Sequence, residues 1–258
     1  MRKATIIILG LLVSISAAAQ QQAGTPTHVS TNAANASVGL PTVDAVLEKY
    51  VSAVGGRAAI EKINSRVSKG TFELASMAGV KGTVEIYEKA PDRQAAFFNI
   101  PGIGMEAEGF DGTTAWELEP DSGVAHEKSG LELASARRDA EFYSELKFKE
   151  MYPRTTLKGV EKVGASDAYV IEAAPTEGSA EHFYFDTATG LLLRHDSVEE
   201  GDGGKKSVEE YYSDYRMVDG VKVPFALRQK SPGMELIIKL AEVKQNVAIE
   251  DTKFNRPE

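Results

Sequence analysis

The clearest pattern in this sequence lies at residues 181–230, which read EHFYFDTATGLLLRHDSVEEGDGGKKSVEEYYSDYRMVDGVKVPFALRQK. Apolar and polar side chains alternate there, as they do in strands, along four runs, at 181–185, 191–197, 206–218 and 221–230. Turn residues separate the runs, and Asp219-Gly220 is a typical hairpin turn. Short polar turns between successive strands predict an antiparallel meander.

The same pattern extends over most of the chain. Seven further runs bring the expected total to about eleven strands, at 67–75, 81–89, 93–100, 104–110, 113–118, 155–163 and 168–173. A twelfth run covers 234–247. Their punctuation by Asp-Gly, Pro-Asp and glycine-rich turns supports a mainly β (α+β) fold.

Helical spacing occurs in three places. The first helix follows Thr42, a favourable N-cap, and stops at Gly55-Gly56. A short second helix is predicted over 57–63, and a helix of three to five turns over 130–151. The last one interrupts the meander, either as a cap on an open end of the sheet or as a lid over a ligand cavity.

A sheet of this size must curl to cover its faces. Closed on itself, a barrel of eleven or twelve strands would have an interior wider than its own side chains can fill. We therefore expect an unclosed antiparallel β-barrel of about 11 strands, with helices covering the concave side. An apolar concavity between sheet and helices follows.

The N-terminus reads as a targeting segment. Arg2-Lys3 precede a mainly apolar run that ends in three alanines, which is typical of a signal peptide cut after Ala19. The run is shorter than a bilayer span, although a retained anchor is the alternative. Residues 1–19 are thus predicted to be a signal peptide, 20–41 a flexible linker and 42–258 the folded domain, and the protein to be periplasmic or secreted.

Composition excludes several function classes. The sequence has no Cys, so thiol catalysis, disulfides and a lipidated cysteine are ruled out. With 38 acidic and 29 basic residues the chain carries a formal charge of −9, which argues against nucleic-acid binding. No metal motif, P-loop or serine-hydrolase elbow occurs, and no cofactor is predicted.

Two groups of polar residues have a structural interpretation. His182 and His195 lie on neighbouring runs, which predicts a half-exposed cross-strand pair rather than a metal site. Glu106, Glu108 and Glu117 alternate with apolar residues, which is typical of a solvent-facing side. Two strand-borne carboxylates could still form a hydrolase pair in space, but the sequence favours a protein that is not an enzyme.

The apolar strand residues form the candidate site. Together with two residues of the inserted helix they would line a cavity for acyl chains or other apolar ligands. The predicted ligand-binding residues are Phe72, Leu74, Val84, Ile86, Phe98, Met105, Trp116, Phe142, Leu146, Phe183, Phe185, Leu236 and Ile238.

Three stretches resemble a known family. They read GFDGTTAWELEP at 109–120, FYFDTATGLLLR at 183–194 and YYSDYRMVDGVKVP at 211–224. With the helix end at 50–56, they resemble exported proteins of the outer-membrane lipoprotein-sorting (LolA/LolB-like) superfamily over about residues 42–257. The resemblance implies an unclosed β-barrel plugged by helices and a cavity for lipid or acylated lipoprotein.

The resulting prediction is a periplasmic carrier of lipid or lipoprotein acyl chains. The alternative is a non-enzymatic module of the same fold, whose interior is filled by its own helices and which contacts an envelope membrane protein. The predicted fold is compatible with both functions.

Overall fold

The computed structural model describes residues 39–258 except 78, 202 and 203. The predicted signal peptide (1–19) and nearly all of the predicted linker (20–41) lie outside the described residues. None of the helices in the described part is long and apolar enough to cross a membrane.

The elements follow one another in the order expected for a meander interrupted once. The helices are α1 (Val43–Ala53), α2 (Arg57–Ile60), α3 (Gly130–Asp139) and α4 (Phe148–Met151). The first six strands are β1 (Ser65–Leu74), β2 (Lys81–Lys89), β3 (Arg93–Ile100), β4 (Gly104–Phe110), β5 (Ala115–Leu118) and β6 (Ala125–Glu127). The others are β7 (Arg154–Val163), β8 (Ser166–Ala174), β9 (Glu181–Asp186), β10 (Leu192–Gly201), β11 (Gly204–Val218), β12 (Val221–Ser231) and β13 (Met234–Gln245).

All thirteen strands form one antiparallel sheet, in the order β6-β5-β4-β3-β2-β1-β13-β12-β11-β10-β9-β8-β7. The sheet is not closed, and β6 and β7 are its outer strands. The prediction of an unclosed antiparallel half-barrel is confirmed. The additional strand is β6, which has three residues and is too short to show a period of two.

Helix α1 lies against the turns at one end of the sheet. The Thr42 hydroxyl accepts a hydrogen bond from the Ala45 amide at 3.1 Å, which confirms the predicted N-cap. Beyond the helix, the Lys222 amide donates to the Val54 carbonyl at 2.7 Å, so the β11–β12 hairpin is tied to the helix end. At Gly55 a Cβ would lie 2.2 Å from the Gly220 carbonyl oxygen, so only glycine permits this approach.

The inserted segment is not the continuous helix predicted over 130–151. It is divided into α3 and α4 by turns at residues 141–147. The break has a clear cause, because the Phe142 amide leaves the helical ladder and donates to the Pro91 carbonyl at 2.9 Å. The turns bring the aromatic side chains of Phe142 and Phe148 into the core. Helix α2 is likewise shorter than predicted, because the chain turns at 61–62 before β1.

The C-terminal segment after β13 covers the convex face of the β1–β5 half of the sheet. Its Phe254 is fully buried against Trp116, whose indole Nε1 donates to the Phe254 carbonyl at 2.7 Å. The Trp116 ring lies over Gly109, where a Cβ would be 2.6 Å from the indole. We call this group the convex cluster; it comprises Tyr87, Ala95, Ala107, Trp116, Ile249 and Phe254.

Candidate functional site

The concave face carries one contiguous apolar cluster, to which α1 and the inserted segment contribute. It contains ten of the thirteen predicted ligand-binding residues, namely Phe72, Leu74, Val84, Ile86, Phe98, Phe142, Phe183, Phe185, Leu236 and Ile238. Leu146 is half-buried and packs against the same cluster. The structure therefore brings these eleven residues to one side of the sheet.

Met105 and Trp116 do not join that set. Met105 is 45% exposed, at the start of β4. Trp116 lies in the convex cluster, under the C-terminal segment. The expectation that they share a lining with the other eleven is corrected, because the C-terminal segment converts the convex face of β4 and β5 into a second core.

A cleft opens on the concave face between β1–β2 and β11–β13. It is partly open to solvent, and its space together with the adjoining solvent measures about 490 Å³. Its apolar wall includes Ile86, Leu227, Ile238 and Leu240, and Tyr212 lies beside them. Ile86 and Ile238 belong to the predicted set. We call this feature the apolar cleft.

A buried ion pair stands in the wall of the apolar cleft. Arg66 Nη1 lies 3.0 and 2.9 Å from the two carboxylate oxygens of Glu88. The Arg66 guanidinium also lies over the Phe142 ring, 5.5 Å from its centroid, and its Nε has no hydrogen-bond partner. The cleft thus has one charged pair in an otherwise mainly apolar wall.

A second, more polar pocket lies between helix α3 and the concave face of β3 and β4. It is also partly open to solvent, and its space together with the adjoining solvent measures about 370 Å³. Glu108 and Lys128 stand in its wall with Asp139 of α3. Lys128 Nζ lies 2.9 Å from Glu108 and 3.6 Å from Glu117, and this ion-paired group is largely buried. We call it the carboxylate pocket.

The carboxyl groups of this region are not the solvent-facing side predicted from the alternation. Glu106 is only 6% exposed, and its neighbour Met105 is the exposed residue of the two. The alternation was interpreted correctly as two faces, but the prediction of which face meets solvent was wrong. Helix α3 covers the carboxylate face and the C-terminal segment covers the other.

Burial changes the proton affinity of these groups. Desolvation, with repulsion from Glu108, raises the pKa of Glu106 to about 8. Desolvation is also the main cause that raises the pKa of Glu117 to about 7 and that of Glu199, on β10, to about 7. Three carboxyl groups of β4, β5 and β10 near this pocket therefore have pKa values close to neutral pH.

A third polar group is enclosed between α3, α4 and strands β9–β11. His195 Nε2 lies 2.7 Å from Glu181, and Nδ1 lies 3.3 Å from Glu210. The hydroxyls of Tyr152 and Tyr212 donate to Glu181 at 2.7 Å and to Glu210 at 2.6 Å. Burial raises the pKa of both tyrosines well above the usual value, so both stay protonated donors.

This third group joins elements rather than presenting a reactive surface. His195, Glu181 and Glu210 are all buried, and the His195 ring stacks on Phe183 with centroids 4.4 Å apart. Arg138 of α3 also reaches Glu181, at 3.4 Å. The cluster therefore connects the inserted segment to the sheet.

The predicted histidine pair is not formed. In the register of β9 and β10, His195 pairs with Phe183 and His182 pairs with Asp196, so the two histidines point to opposite faces. His182 is on the surface near Glu172. Within the described residues, no group of three or more His, Cys, Asp or Glu side chains has a geometry that could hold a metal ion.

The fold defines a class of protein, in which an open antiparallel half-barrel is covered by helices on its concave side. This is a LolA-like fold. A DUF1329 family protein from Desulfovibrio piger superposes with a TM-score of 0.57 at 18% identity, over 83% of this chain and 97% of that one. No family model and no curated protein sequence matches the chain.

Two further solved structures are similar to the same extent. One is a domain described as an outer membrane lipoprotein-sorting protein, from Vibrio parahaemolyticus, with a TM-score of 0.55 and 15% identity over 81% of this chain and 97% of that chain. The other is a LolA superfamily protein from Nitrosomonas europaea, with a TM-score of 0.54 and 13% identity over 84% and 98%. These likenesses concern the fold.

Proposed function

We propose that this protein is a periplasmic carrier that binds lipid or lipoprotein acyl chains in the apolar cleft, without catalysis. The observation that carries the proposal is the cleft itself, which is partly open to solvent and has a mainly aliphatic and aromatic wall. Ligand pockets in proteins are lined mostly by apolar and aromatic side chains. The LolA-like fold and the signal-peptide pattern at 1–19 support the same proposal.

The binding energy would come from burial of methylene groups. Each buried CH₂ contributes about 0.8 kcal/mol, part of which is offset by ordering of the chain. An acyl chain needs no charged contact in this wall. The enclosed His195 group offers no open face to a substrate, which supports a binding function.

Filling the cleft tests the proposal. Leu227 lies in the cleft wall, so Leu227→Trp should reduce the affinity for a fluorescent fatty acid at least tenfold, measured by fluorescence titration. Met217→Trp is the matched control, because it adds the same ring at a position that is 59% exposed. Unchanged affinity in a folded Leu227→Trp protein would reject the cleft as the binding site.

The alternative function, an envelope interaction module with a filled interior, also has an observation in its favour. The rings of Phe148 and Tyr152 pack on Phe183 at centroid distances of 5.1 and 5.3 Å, so the inserted segment fills part of the concavity. Native mass spectrometry of protein purified from its own envelope separates the two functions. A co-purifying lipid supports the carrier, whereas an apo protein bound to an envelope protein supports the module.

A further inference from the structure

The apolar cleft has one polar end. Arg66 and Glu88 lie directly opposite each other on β1 and β2, and both stand in the cleft wall. Ser68, the next residue of β1 on the same face, also lines the cleft. Ile238 is the β13 partner of Phe72, and the β1 strand between Arg66 and Phe72 is about 20 Å long. The cleft therefore extends from a charged pair at one end to aliphatic side chains at the other.

The Arg66 guanidinium is buried and incompletely hydrogen-bonded. The two Glu88 oxygens lie 3.0 and 2.9 Å from the same nitrogen, Nη1. Arg66 is only 3% exposed, and none of the described residues accepts a hydrogen bond from its Nε. Gln245, directly opposite on β13, does not do so, since its own Oε1 is buried without a partner. A buried donor without an acceptor is costly, so this end of the cleft favours a ligand with an acceptor oxygen.

The charges at this end favour a neutral acceptor. The Arg66 cation already faces the Glu88 carboxylate, so the pair has no net charge. Among the described residues that line the cleft, Arg66 is the one cation. Arg216, which lies over the Phe225 ring, is paired with Asp214. A ligand carboxylate would thus add a second negative charge beside Glu88, whereas an ester or amide carbonyl supplies the acceptor without a charge.

The guanidinium is held in place before a ligand binds. Glu88 holds it from β2, and the Phe142 ring of the inserted segment lies over it, 5.5 Å away. A donor that is already fixed loses little conformational entropy when it binds an acceptor.

We infer that Arg66 binds the carbonyl oxygen of a neutral acyl ester or amide and thereby sets the direction of the chain in the apolar cleft. The inference rests on the proposed function and names the residue and the head group that determine its specificity. The Arg66 Nε–H donates to the carbonyl oxygen, while Nη1 keeps its contact with Glu88. The chain extends along β1 towards Ile238. Burial of methylene groups is non-directional, whereas a charge-assisted hydrogen bond at one end selects one direction.

The experiment compares three fluorescent probes at pH 7 by fluorescence titration: the methyl ester of parinaric acid, parinaric acid itself, and diphenylhexatriene, a hydrocarbon without an acceptor oxygen. The double variant Arg66→Met/Glu88→Leu removes the pair without leaving an unpaired buried charge. It should weaken binding of the methyl ester at least tenfold and leave the affinity for diphenylhexatriene within twofold. Lys69→Met/Glu85→Leu is the matched control, because it removes a pair between the same two strands on their opposite, exposed face.

Two further measurements keep the test decisive. Circular dichroism verifies folding. If the double variant is unfolded, Arg66→Lys, which keeps a cation beside Glu88 but lacks the Nε donor, should still weaken binding of the ester at least threefold. The infrared band of the ester carbonyl, isotope-labelled at the carbonyl carbon, should shift to lower wavenumber in the wild-type complex, and the shift should be lost in either variant.

The outcomes separate this inference from the proposed function. If none of the three probes binds, the carrier function is wrong. If all three bind and the substitutions leave the ester affinity unchanged, the carrier function stands and the role of Arg66 is rejected. An equal loss for the ester and the hydrocarbon would show that the pair only shapes the wall, and would also reject it. A tenfold loss for parinaric acid with an unchanged ester would indicate a free carboxylate and would overturn the neutral head group.

Discussion

Strands β4 and β5 are covered on both faces, and the two faces bury opposite kinds of side chain. The convex face packs Ala107 and Trp116 against Phe254 in a cluster closed by the C-terminal segment. The concave face buries Glu106, and Glu108 beside it lines the pocket under helix α3. The same two strands thus contribute side chains to a well-packed apolar core on one face and to a polar pocket on the other.

The difference teaches that burial and polarity are separate properties of a sheet face. The convex cluster is stabilised by apolar area and by hydrogen bonds from the Trp116 indole to the Phe254 carbonyl and from Lys89 to the Ile249 carbonyl. Tyr87, its one ionisable member, has a pKa of about 12, so little in the cluster depends on pH near neutrality. The carboxylate face depends on protons and on Lys128. Substitutions on the convex face should therefore cause large, pH-independent losses of stability. Substitutions on the concave face should cause smaller changes that depend on pH.

Trp116→Ala should have the largest effect. It removes a fully buried indole and its bond to the Phe254 carbonyl, and should lower the free energy of unfolding by about 4 kcal/mol. Urea denaturation measures the loss. The affinity for the fluorescent fatty acid should stay unchanged in the folded variant, because Trp116 lies on the face opposite the apolar cleft. Weakened ligand binding at full stability would contradict this assignment.

The buried carboxyl groups of the concave face should make the stability of the protein depend on pH. Glu106 binds its proton more tightly in the folded protein, with a pKa of about 8, than in the unfolded chain. The folded state therefore holds more protons between about pH 5 and 8, and its stability falls as pH rises through that range. The contribution from Glu106 is on the order of 2 kcal/mol, after allowance for residual hydration.

Urea titrations at pH 5 and pH 8 measure this slope. Glu106→Gln should reduce the difference between the free energies of unfolding at the two pH values. Trp116→Ala should lower the free energy of unfolding equally at both. An unchanged slope in Glu106→Gln would show that the carboxyl is ionised at both pH values in the folded protein.

Lys253→Gln should have the smallest effect on the free energy of unfolding. The Lys253 ammonium group lies 5.1 Å from the Tyr87 ring centroid and 5.6 Å from that of Phe97, at the exposed rim of the convex cluster. Exposed cation–π contacts contribute about 0.5–1 kcal/mol. Urea denaturation at pH 5 and at pH 8 should show the same small decrease in the free energy of unfolding. A loss comparable with that of Trp116→Ala would mean that the C-terminal segment is held mainly by its charges.

The strands and the order of the elements could be predicted from the sequence alone. Strand alternation and turn residues are local signals, and twelve of the thirteen strands follow from them. The break between α3 and α4 was not predictable, because it depends on a hydrogen bond from Phe142 to Pro91, about fifty residues earlier. Local periodicity carries no information about such a partner.

The site was predicted only in part, for the same reason. Alternation identified Met105 and Glu106 as members of opposite faces, but what covers a face is decided by distant segments, here α3 and the residues after β13. Eleven predicted residues do lie together on the concave side. The burial of Glu106 and the partners of His195 left no signal in the sequence, since isolated Glu and His residues on strands are usually exposed.

The position of β1 in the sheet has a consequence for how the protein folds. Arg66 on β1 pairs with Glu88 on β2 and with Gln245 on β13. Strand β1 therefore joins two halves of the sheet through a partner that follows it by more than 150 residues in the chain. The halves on either side can assemble from local hairpins, but the pairing of β1 with β13 requires that β13 has been synthesised. Such long-range closure slows folding, and a nascent chain halted before β13 would present the bare edge of β1 to any chaperone nearby.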